Sequence, residues 1–209
     1  MKNLKSINEF WGAVIRRDMS SAVREEDSPH TKEELIEYLE REIKRQGKNV
    51  VIKNLDVSGI KDLSGLFSNI NIMNNVKTLD LSGWNTEGVT NMKDMFQFLP
   101  NIESINLSGW KTNEVTKMNS MFSRCENLKS LDLSGWETDN LTDISYMFKR
   151  CEKLESLDLS GWNSNNIKFA RFAFSEMKSI KSLDLSGWTY KICSATGIFS
   201  GTPMNYIKM

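Results

Sequence analysis

Five tryptophans, Trp84, Trp110, Trp136, Trp162 and Trp188, stand 26 residues apart without exception. No other feature restricts the fold as strongly. Each closes a copy of one hexapeptide, LDLSGW from Leu79, Leu131, Leu157 and Leu183 and INLSGW from Ile105. Phe96, Phe122, Phe148 and Phe174 keep the same interval, and Phe199 comes one residue early. A fixed period of this length marks an architecture whose units bury their apolar residues only against one another. A degenerate copy, LDVSGI from Leu55 to Ile60, precedes the five and is expected to be the first coil.

Two periods alternate inside each unit. Ile102, Ile105 and Leu107 follow the spacing LxxLxL, and their counterparts recur in every unit; the last two residues of each trio alternate as one face of a strand does. Met118, Met121 and Phe122 then fall at i, i+3 and i+4, a helical spacing. A short strand and one or two helical turns per unit predict an α/β fold, a leucine-rich-repeat solenoid. Its parallel β-sheet would line the concave face and short helical turns the convex face. Six strands about 4.8 Å apart would make a sheet some ~24 Å long.

Residues 1–54 are expected to form an N-terminal cap, and 55–209 the repeat array with its last coil as C-terminal cap. Thr31 and Glu34 form a capping-box pattern, Leu35, Ile36, Leu39 and Ile43 make an apolar stripe, and Gly47 is a stop. Ile7, Phe10, Trp11 and Val14 predict an earlier short helix, Arg24 to Pro29 a loop, and Val50 to Leu55 a covering strand. Met204 and Ile207 are placed to close the far end.

Composition removes several classes of function. The chain has 209 residues with 27 basic and 27 acidic side chains, so no global charge favours nucleic acid as a partner. No apolar run of about 18 residues exists, and membrane insertion is not expected. The first thirty residues hold no apolar stretch long enough for a secretory segment. The expected location is therefore the cytoplasm, or a surface reached by non-classical export. With one histidine, His30, and no phosphate-cradling glycine loop or metal-ligand cluster, neither catalysis nor a metal or cofactor is expected. Cys125 and Cys151 share a repeat position with Leu99 and Met177 and are expected to be buried thiols, although stacked coils could bring them within disulfide range.

The candidate contact residues fall in two places. Outward positions of the predicted strands carry Asp80, Asn106, Asp132, Asp158 and Asp184, followed by Ser108, Ser134 and Ser160. Like charges one strand apart repel. The serines or turn amides could offset this, as could a basic partner; calcium is disfavoured because its loops gather several acids in one tight turn. Tyr146, Phe169 and Phe172 break the pattern on the predicted convex side. They could form an exposed contact patch, or turn inward over the small Ala170 and Ala173. Tryptophan occupies the inward position at the end of each LxxLxLxxN spacing, so a packed ladder is expected there and not a binding strip. A further row, Lys77, Glu103, Lys129, Glu155 and Lys181, alternates in sign and is expected to zip the coils in register.

The LDLSGW strands and the pattern EVTKMNSMFSRCENL from Glu114 to Leu128 resemble the BspA-like bacterial leucine-rich repeats, which include repeats of mycoplasma surface lipoproteins. The likeness covers residues 55–199. It implies a non-enzymatic, adhesin-like repeat protein that binds a protein partner. The alternative is a cytoplasmic regulator or effector whose repeats select a target and whose N-terminal helices carry the activity.

Overall fold

The structure, a computed structural model, describes residues 28–189 and 193–209. The expected helix around Ile7 to Val14 lies outside them. The described chain is mixed α/β with small parallel sheets and one α-helix. Helix α1 (Lys32–Gln46) starts at Thr31, whose hydroxyl accepts from the Glu34 amide, and ends at Gly47. Leu35, Leu39 and Ile43 on its inner face join one core cluster with Val50 and Met73, and the Lys32 ammonium reaches the Ser64 carbonyl. The helix thus covers the N-terminal end of the core.

Strands β1 (Asn49–Val51), β2 (Thr78–Asp80) and β3 (Ser104–Asn106) form one parallel sheet. β4 (Ser156–Asp158), β5 (Ser182–Asp184) and β6 (Ile207–Lys208) form another. The register corrects the sequence reading at the first coil. Val50 lies beside Leu79, whereas Asp56 of LDVSGI lies beside Asn85. The expected boundary at residue 55 therefore cuts through the first coil, which begins at β1. Leu55 fills the place that Trp84 takes in the next unit. The interval from Val50 to Leu66 equals that from Leu79 to Met95, and the surplus residues follow Phe67, where a 3-10 turn spans Asn71–Asn75.

The second half of each unit is a correction too. Among the described residues no α-helical turn occurs there. Amides alternate between two destinations. Those of Met92, Asp94, Phe96 and Phe98 donate to Lys117, Asn119, Met121 and Ser123 of the next unit, while those of Met95 and Gln97 donate three residues back. Asp94 and Phe98 have φ of 55° and 59°, and the equivalent pairs Ser120/Arg124, Tyr146/Arg150 and Phe172/Glu176 repeat this. A left-handed residue every fourth position ends any α-helix. The i, i+3, i+4 apolar spacing still faces inward, but over a turn bonded to its neighbours.

The core is two aromatic columns. Phe67, Phe96, Phe122, Phe148, Phe174 and Phe199 stack with centroid separations of 5.1–5.7 Å. The indoles stack in two groups, Trp84 on Trp110, and Trp136 on Trp162 with Trp162 in turn on Trp188. Trp84 is fully buried and Trp136 5% exposed, so these indoles are part of the core, whereas Trp188 is only partly buried. Their N–H groups donate to carbonyls of the preceding unit, as Trp110 does to Leu81 and Trp162 to Leu133. Among the described residues Trp136 makes neither that bond nor a stack on Trp110.

The expected continuous sheet is interrupted at the same place. Between β3 and the third unit only the Ser104–Ser130 bridge remains, and Leu131 is 9% exposed where Leu79 is 1%. The phenylalanine side stays continuous, with the Phe122 amide donating to Met147 at 2.9 Å. Cys125 and Cys151 are buried free thiols that donate to the carbonyls of Phe96 and Phe122 at 3.1 and 3.2 Å. Burial pushes the Cys125 thiol up to about 12. At the far end Ile207 packs against the core while Met204 is 56% exposed, so only the first helps close it.

Candidate functional site

The outward row of the strands is built from a local turn. In each unit the side-chain oxygen at the Asp80 position accepts from the amide two residues on. Asn106 takes Ser108 at 3.1 Å, Asp132 takes Ser134 at 3.0 Å and Asp158 takes Ser160 at 2.9 Å. Asp80 and Asp184 do the same with Ser82 and Ser186, and the Ser134 hydroxyl also donates to Asp132. These bonds use Oδ1, fix the turn that carries the chain into the tryptophan, and offset part of the repulsion along the row. The serines named from the sequence are therefore turn partners first.

The second carboxylate oxygen faces away from the turn. At both ends of the row it holds a lysine. Lys53 Nζ lies 3.0 Å from Asp80 Oδ2, and Lys208 Nζ lies 2.8 Å from Asp184 Oδ2. The Lys208 ammonium and the Ser186 donors pull the Asp184 carboxyl down to about 2. Burial opposes ionisation of Asp80, yet Lys53 and Ser82 hold it below the usual carboxylate range. The amide and hydroxyl of Ser134 lower Asp132 as well. Between the ends, Asn106, Asp132 and Asp158 are exposed. Among the described residues no cation lies at ion-pair distance from either aspartate, although Lys208, bound to Asp184, is close enough to be attracted by Asp158 as well. The two lysines were not singled out in the sequence. Lys208 betrays itself only once β6 is registered against β5, which sets it beside Asp184.

The alternating charge row forms most of its zipper. Glu103 lies 3.0 Å from Lys77 and 2.5 Å from Lys129, and Glu155 lies 2.8 Å from Lys181. Between Lys129 and Glu155, beside the interrupted sheet, no ion pair forms among the described residues. Hydrogen bonds from Lys129 and Lys77 bring the Glu103 carboxyl from 4.5 down to about 2. A carboxyl lowered on folding stabilises above its unfolded value, and that contribution is lost as pH falls towards its folded value. The melting temperature should therefore fall between about pH 4.5 and pH 2, and Glu103→Gln should flatten that fall. Thermal melts across this range at low and high salt check it; identical slopes for the two proteins would remove Glu103 from the account.

Tyr146 and Phe172 do not turn inward. Ala170 and Ala173 are fully buried in their own right, and the two rings stack on the outside at 5.7 Å and 14°. Both residues have a left-handed backbone, φ 61° and 51°, and both are half-buried. Phe169 is 46% exposed. The geometry joins Tyr146 to Phe172, and it adds Lys149, whose Nζ lies 5.9 and 5.4 Å from the two ring centroids.

Among the described residues no group of three or more His, Cys, Asp or Glu side chains could hold a metal, and no helix is long and apolar enough to cross a membrane. A cavity of about 160 Å³ at the C-terminal end, lined by Trp188, Ile198, Phe199 and Met209 among others, contains no titratable side chain.

No curated protein matches the chain. One family matches it twice, over residues 40–131 and 97–205, and the two matches overlap as expected where successive units are alike. Together they span most of the 209 residues, including the first coil, the indole columns and both candidate surfaces. The chain belongs to the family described as Mycoplasma protein of unknown function, DUF285.

Proposed function

We propose that the stacked units are a leucine-rich-repeat solenoid of the BspA-like kind and that the protein is a non-enzymatic, adhesin-like binding module. Its strand face takes a basic segment of a partner protein. The observation that carries this reading is the behaviour of the aspartate row. At each end the outward carboxylate oxygen is occupied by a lysine from the neighbouring coil or strand, while among the described residues no cation pairs with the same atom of Asp132 or Asp158 in the same turn. The chain itself thus displays the ligand chemistry this row accepts, a primary ammonium at hydrogen-bond distance. Asp132 and Asp158 stand at the same position of adjacent units, so two basic side chains of one segment can meet both.

Calorimetric titration of the full chain with a decalysine peptide tests the reading. Changing Asp132 and Asp158 together to Asn should weaken binding by about tenfold or more, and raised salt should weaken wild-type binding. The Oδ1 bonds to Ser134 and Ser160 can persist in asparagine, as Asn106 shows with Ser108, so the fold is retained. Unchanged affinity in the double variant would remove the row from the site.

A further inference from the structure

The outer face of the fourth unit departs from its sisters in both apolar and cationic content. Along the bonded row Asn91, Lys117, Asp143, Phe169 and Ser194, only the fourth unit sets an aromatic ring outside. Lys168 precedes it, at the position of Thr90, Thr116 and Thr142. Arg171 follows at the position of Lys93, Asn119 and Ser145. Lys168 and Arg171 are exposed, and among the described residues neither is paired with a carboxylate.

The neighbouring rings of Tyr146 and Phe172 are held against each other. One face of Phe172 meets Tyr146, and the ring also lies over Gly197, where an added Cβ would come within 2.3 Å of Phe172 Cε1. Lys149 sits over both rings. The nearby carboxylates are engaged. Asp143 accepts from the Ser145 amide, and Glu176 lies 3.6 Å from Lys149 and 3.8 Å from Arg150. What faces solvent is two cations without a carboxylate partner among the described residues, and the apolar Phe169.

We infer that this face docks an acidic protein segment carrying a large apolar side chain, the apolar group seating on Phe169 and carboxylates meeting Arg171 and Lys168. A single-stranded nucleic acid fits less well, because base stacking needs a run of open ring faces and Phe169 supplies one. The inference rests on the reading of the chain as a protein-binding module, but uses a surface and a charge opposite to those of the strand face.

The test is fluorescence anisotropy of the full chain with a labelled dodecapeptide of the repeat Glu-Glu-Leu. A Gln-Gln-Leu dodecapeptide and a dodecathymidylate serve as competing probes. The acidic peptide should bind, and the glutamine peptide should bind about tenfold more weakly or worse. Lys168→Thr combined with Arg171→Ser, residues that sister units already carry, should lose about tenfold in affinity with the melting temperature preserved. Phe169→Asp, the residue of the third unit, should also weaken binding. Equal binding of the glutamine peptide, tighter binding of the dodecathymidylate, or full affinity in the Lys168/Arg171 variant would overturn the inference. Asp132→Asn with Asp158→Asn should leave this binding intact. Loss of the acidic probe alone, with decalysine still captured, would sink this inference and spare the strand-face reading; loss of both would sink the module.

Discussion

Phe122→Ala should lower the stability of the chain by about 3–5 kcal/mol, the range of large aromatic truncations in a packed core. Phe122 has no exposed surface. Its ring stacks on Phe96 at 5.5 Å and 7° and on Phe148 at 5.7 Å and 10°, so one substitution breaks two ring contacts. The hole cannot close easily, because backbone bonds hold the units apart at a fixed distance on both sides, from Phe96 to Met121 and from Phe122 to Met147. Removal also parts the first two units from the last three on the side where their contact is continuous, and in a stack such interface losses act directly on overall stability. Trp136→Ala should fall near the lower end of the same range, since its indole stacks only on Trp162. Urea denaturation followed by circular dichroism measures both. A loss under about 1 kcal/mol at Phe122 would mean that the column is not the main cohesive element.

The second large effect is expected at a glycine. Gly197→Val should cost roughly 2–4 kcal/mol. About 1–2 comes from placing a β-branched residue in the left-handed region and the rest from overpacking. Gly197 has φ of +63°, and a Cβ there would lie 2.3 Å from the Phe172 ring. That ring cannot swing away without leaving Tyr146. Gly135→Ala is the informative companion, because no heavy atom lies within 4 Å of its added Cβ and its φ is outside the left-handed region. Its effect should stay within about 0.5 kcal/mol. Gly83, in an identical LDLSGW, has φ of +73° and a Cβ position 2.2 Å from Asn54 Oδ1, so Gly83→Ala should cost about 1–2 kcal/mol. Equal effects at Gly83 and Gly135 would show that the two turns have the same backbone.

The residues that repeat most faithfully were legible in the sequence because each faces the same neighbour in every unit. The inward leucines, the tryptophans and the phenylalanines needed only the period and the strand alternation to be placed in the core. The cap helix was equally legible, since Thr31, Glu34 and Gly47 act through local backbone bonds. The first coil was misplaced because LDVSGI imitates LDLSGW in composition, whereas backbone pairing, which has no sequence letter, set Val50 beside Leu79. The expected helical turns failed for a related reason. An i, i+3, i+4 spacing states which side chains face inward, and a turn with left-handed residues satisfies it as well as a helix does.

For the candidate surfaces the division is similar. The outward aspartates and the aromatic break at Tyr146, Phe169 and Phe172 were visible as exceptions or alternations in the repeat. Which of their atoms remain unoccupied was not, because Lys53 and Lys208 reach Asp80 and Asp184 from the degenerate first coil and the C-terminal strand, which do not carry the LDLSGW letters. By itself the sequence determined the period, the inward face and the buried identity of the rings, since burial of apolar surface depends on a residue's place in the repeat. Only the tertiary structure decided where the sheet is interrupted, which identical glycine is strained, and which carboxylates and cations stay unpaired. Those outcomes depend on hydrogen bonds and distances between units, where identical residues meet different neighbours.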